Sequence, residues 1–90
     1  MAGVAFFRHL AAQPTVTFIE FRDALSGHVQ SGWSIGTEEV LTIVGRIKIK
    51  LSREEKAELA GIVEKGILSC FDRHNVFGAM EYQYVKDELK

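Results

Sequence analysis

"GRIKIKLSREEK", residues 45–56, carries five cations within eleven residues: Arg46, Lys48, Lys50, Arg53 and Lys56. How it is read decides the fold. At a period near 3.6, Val40, Val44, Ile47 and Leu51 follow at spacings of four, three and four and form the stripe of an amphipathic helix. At a period of two, Ile47, Ile49 and Leu51 alternate with Lys48 and Lys50, Gly45 takes the place of a bulge, and the segment is a strand. Both templates match these residues, so the flanking sequence has to decide.

Downstream, Ser52 followed by Glu55 has the spacing of a capping box, in which each side chain satisfies an N–H at the start of a helix. It opens a helix expected over roughly 53–71, with Ala60, Val63, Ile67 and Phe71 on one face. "DRHN" interrupts it at 72–75, after which Phe77, Met80 and Tyr84 continue at helical spacing, flanked by Tyr82, Val85 and Leu89. Met80, Tyr82 and Tyr84 also alternate as a strand would, but the closing "KDELK" is helix-prone. Upstream, Thr37 offers an N-cap, and Glu38 and Glu39 occupy a first turn, where the helix dipole favours negative charge. "SGWSIG" at 31–36 is a loop, its glycines admitting backbone angles closed to other residues.

Thr17 and Glu20 form another capping-box pair before Phe18, Phe21, Leu25 and Val29, which share a helical face, although "TVTFIEF" has β-branched content. Val4, Phe7, Leu10 and Ala11 fit a first helix that Pro14 closes. The balance predicts one all-α domain over residues 1–90, a compact bundle of four to five helices. The alternative is an α+β arrangement with strands near 15–21, 46–51 and 79–85.

With 47% apolar and 26% charged residues, the chain is expected to fold, but 90 residues bury only about 60–65% of the surface exposed when unfolded. Self-association would add to so modest a core. Apolar residues outside single stripes, namely Ile19, Ile43, Ile49, Leu68 and Tyr82, point the same way, to a homodimer or larger assembly. One cysteine, Cys70, cannot make an internal disulfide, which favours a reducing compartment and a cytoplasmic location. No apolar run approaches a membrane span, and Arg8 and His9 interrupt the short N-terminal apolar run without a basic segment before it. The letters of an ER-retrieval signal near the end are followed by Lys90 and are set aside.

Cys70 and His74, four apart on an expected helix, are the nearest approach to a thiol–base pair or half a metal site, and no further ligand falls at motif spacing. A core thiol beside a helix-terminal histidine explains them better. "GHVQSGWS" has the glycine frame of a phosphate loop, but Trp33 stands where its lysine must be. The expected function is therefore non-catalytic, with neither cofactor nor metal: a small regulatory or adaptor module that binds a protein partner.

Charge is uneven, with residues 1–45 at net −2, 46–56 at +3 and 57–90 at −2. The chain's pI near 6.3 argues against a dedicated nucleic-acid binder. Nucleic-acid binding through the basic segment is nonetheless the alternative. Arg46, Lys48, Lys50 and Arg53 are the expected partner-binding cations, and Trp33 in its glycine-rich loop is either a plug over the core or an interface anchor.

Overall fold

The computed structural model describes residues 2–32 and 35–90, with side chains from Phe7 onward. It contains helices α1 (Ala2–Ala11), α2 (Phe18–Val29), α3 (Thr37–Ile47), α4 (Arg53–Asp72) and α5 (Val76–Glu88), with a 3-10 turn at Lys48–Lys50. The architecture is all-α, and there is no strand among the described residues. Of the three segments that also matched strand templates, 15–21 runs from the loop into the start of α2, 46–51 covers the end of α3 with its 3-10 turn, and 79–85 lies in α5. At 46–51 the helical period wins because Ile49, which the strand template turns inward, is 88% exposed, while Ile47 is buried.

Local chemistry sets the boundaries. At the start of α2, the Thr17 hydroxyl accepts from the Glu20 N–H at 3.1 Å and Glu20 accepts from the Thr17 N–H at 3.0 Å. Ser52 and Glu55 repeat the arrangement at α4, at 3.0 and 2.8 Å. Two such reciprocal caps satisfy donors that a helix start otherwise leaves unpaired. α3 differs from expectation. Its N-cap is Gly36, whose φ of 70° a glycine adopts without strain, and Thr37 is already helical. The Thr37 hydroxyl instead donates to Glu81 Oε2 at 2.7 Å, tying α3 to α5.

α4 ends in a Schellman turn, with the Asn75 N–H on the Cys70 carbonyl at 2.7 Å and the His74 N–H on the Phe71 carbonyl at 3.0 Å. His74 takes the left-handed position, at φ 57°. Asn75 then caps α5 through a 3.0 Å bond from the Gly78 N–H to its side-chain oxygen.

Around the bundle the neighbours run α1, α2, α4, α5, α3 and back to α1. The centre of that ring is the core. Phe21, Leu25, Val40, Ile43, Val44, Leu59, Val63, Tyr82 and Val85 are fully enclosed, and Phe7 meets Phe21 edge-on with ring centroids 6.4 Å apart. No charged or polar residue is buried among those described. The inward face of α4 is rotated from the expected stripe: Leu59, Val63, Gly66, Ile67 and Cys70 are buried, while Phe71 is 53% exposed. The cause is the close seat of Tyr82 on Gly66, where a Cβ would lie 2.6 Å from the tyrosine ring.

Candidate interaction surface

Two cations of the basic segment are engaged at the ends of other helices. Arg46 donates to the carbonyls of Ala11 and Pro14, closing the C-terminal end of α1, and Lys48 donates to the Glu88 carbonyl at 3.2 Å at the end of α5. Both cations lie where helix dipoles and unpaired carbonyls attract positive charge. Lys50 and Arg53 are exposed, with no partner among the described residues. Of the five cations, two thus join the segment to other helices. Trp33 lies outside the described residues.

Cys70 and His74 do not form a functional pair. α4 stops at Asp72, so His74 lies in the turn and is exposed, whereas Cys70 is fully buried with its Sγ 3.6 Å from the Gly32 carbonyl. Burial, then the Glu81 carboxylate, pushes the Cys70 thiol above its ordinary range, opposite to the shift an activated thiolate needs. Burial, then Cys70 and Glu81, likewise raises Tyr82, and its buried hydroxyl has no hydrogen-bond partner among the described residues. Among the described residues no three of His, Cys, Asp and Glu converge as metal ligands, and no helix is long and apolar enough to cross a membrane.

α5 provides the strongest surface feature, because it is apolar on two opposite sides. At about 100° per residue, its buried residues Gly78, Ala79, Tyr82 and Val85 face α4, α3 and the core. Val76, Phe77, Met80 and Tyr84 occupy an arc of roughly 100° on the other side. An ordinary surface helix carries polar residues there. Within this arc the polar residue is Asp87, which accepts from Gln83 at one edge at 3.0 Å, and Glu88 borders the other edge. Phe71 and Leu68 of α4 continue the apolar surface, and all six of these residues are 53–69% exposed. At Leu68 the face meets a groove of about 360 Å³ between α2 and α4, whose lining includes Val29 and Ile62 with Lys65 and Asp72.

The outer face of α5 was visible in the sequence as the series Phe77, Met80, Tyr84, but nothing there said which of the two apolar series faces inward. Of the residues expected to spill outside single stripes, Ile43 and Tyr82 are enclosed in the core, while Ile19, Ile49 and Leu68 are exposed. Comparison with known protein families, characterised proteins and solved structures yields no match.

Proposed function

We propose that this chain is a non-catalytic interaction module of the cytoplasm, acting as a regulator or adaptor that binds a protein through the outer face of α5 and the adjoining end of α4. The observation that carries this reading is the second apolar face of α5. Six neighbouring apolar side chains, each more than half exposed, leave roughly 600 Å² open if a whole aromatic side chain presents about 150–250 Å². That is the upper end of what a monomer ordinarily exposes, and such patches mark contact sites. Three of the six are aromatic and one is methionine, residue types enriched at interfaces. The raised Cys70 thiol, enclosed in the core, is consistent with a structural role for it.

The alternative of nucleic-acid binding through 46–56 is weakened by the engagement of Arg46 and Lys48 with helix ends. The test is comparative capture from the native host with immobilised wild type, Phe77→Ser/Tyr84→Ser and Lys50→Ala/Arg53→Ala. A protein retained by the wild type and the lysine–arginine variant but lost from the α5 variant supports the reading. Equal retention by all three excludes the α5 face as the site.

A further inference from the structure

We infer that the outer face of α5 pairs with the same face of a second copy of this chain, antiparallel and about a two-fold axis at Met80. This rests on the reading of that face as a contact surface and names its occupant. The area fits: roughly 600 Å² of apolar side chain per copy, with Gln83, Asp87 and the α4–α5 turn as rim, approaches the ~800 Å² per partner of a standard interface. The composition fits as well, since homodimer contacts are the more apolar kind and this arc contains a single ionised residue, Asp87.

The orientation follows from the order of residues along the helix. Met80 lies at the middle of the exposed series, with Val76 and Phe77 one turn before it and Tyr84 one turn after. An isologous pairing places each residue i against residue j and j against i. With the axis at Met80, the two methionines meet, and Val76 and Phe77 of each copy lie against Tyr84 of the other. Parallel pairing would set the two Asp87 carboxylates side by side. Antiparallel pairing separates them and brings each to Arg73 in the α4–α5 turn of the second copy, which also carries Asp72, with the two helix dipoles opposed. Arg73 and His74 are both exposed.

Sedimentation and light scattering on the full chain up to about 100 µM, a range that detects weak isologous pairs, test this directly. The wild type is expected to reach twice 10.1 kDa. Met80→Glu, which places two carboxylates across the axis, is expected to raise the dimer Kd at least about 30-fold, the loss of a central anchor. Met80 is exposed, so its circular dichroism should not change.

Met80→Cys is expected to give a covalent dimer on mild oxidation through the introduced thiols, whereas the same change at the equally exposed Ile19 should not. Asp87→Lys should weaken association, and adding Arg73→Glu should restore part of it. A wild type that stays at 10.1 kDa throughout, or a dimer unaffected by Met80→Glu, overturns the second-copy assignment. If the capture comparison retains a different protein through this face while the chain itself stays at 10.1 kDa, the face is a contact surface and its occupant is not a second copy.

Discussion

Two glycines of α4, Gly61 and Gly66, differ by five positions and should respond to alanine with opposite signs. Nothing lies within 4 Å of where a Cβ would stand on Gly61, so Gly61→Ala gains only helix propensity, about 1 kcal/mol of added stability. The same gain applies at Gly66, but there the new methyl falls 2.6, 2.7 and 2.9 Å from three ring carbons of Tyr82. That ring is fully buried on the neighbouring helix.

Overpacking of this kind costs about 1–3 kcal/mol, and the severity of the contact puts it in the upper half of that range. After the propensity gain, Gly66→Ala should be destabilising by about 1–2 kcal/mol, which places the two variants about 2–3 kcal/mol apart. For a domain of this size the difference corresponds to roughly 10–20 °C in Tm. Urea and thermal unfolding followed by far-UV circular dichroism measure it. Tyr82→Leu should remove most of the penalty, a coupling that a double-mutant cycle isolates. If Gly66→Ala matches or exceeds Gly61→Ala in stability, the close seat of α5 on α4 is wrong, and with it the assignment of α5's inner and outer faces.

The other predictions concern single groups. His74→Gly should stabilise the chain by about 1 kcal/mol in the same unfolding assays, because a left-handed backbone angle is strained for histidine and not for glycine. Arg46→Ala should lower stability by about 1 kcal/mol through the loss of two carbonyl contacts at the end of α1, whereas Lys50→Ala should stay within about 0.5 kcal/mol. Stability should fall as pH rises through 9 and 10, the ordinary values of the Cys70 and Tyr82 groups, because both are raised in the folded chain. The unfolded chain then binds fewer protons than the folded one and is favoured at alkaline pH. Tyr82→Phe should flatten the upper part of that decline in urea titrations across pH, at little cost near neutrality, since its hydroxyl is unpartnered.

The helices were legible wherever the sequence carried its own local chemistry. Thr17 with Glu20 and Ser52 with Glu55 mark helix starts through side chains three residues apart, and both boxes close as their spacing implies. At Thr37 the same reasoning stopped one residue late. The true cap, Gly36, contributes a backbone angle instead of a side-chain bond, and the threonine hydroxyl is directed to Glu81, 44 residues away. The basic segment was legible only in part for a related reason: its cations were visible, but the helix ends that engage Arg46 and Lys48 come from residues 32 to 40 positions distant. α5 is ambiguous in principle, since a helix apolar on two opposite sides has no single periodic stripe to mark its inner face. The glycine at position 66, which admits the Tyr82 ring, and Gly78, seated against Cys70 and Asn75, select that side.

The claim that the outer side of α5 pairs with a second copy is tested most directly by hydroxyl-radical footprinting of the wild-type chain at low and high concentration, read residue by residue. Phe71, Phe77, Met80 and Tyr84, all more than half exposed in the single chain, should react readily at low concentration and become protected together as concentration rises. Ile19 and Ile49, also more than half exposed but elsewhere on the chain, should remain reactive throughout. Met80→Glu should abolish the protection without altering the low-concentration pattern. Uniform reactivity of the α5 residues at every concentration, or protection that appears at Ile19 and Ile49 instead, would contradict the account.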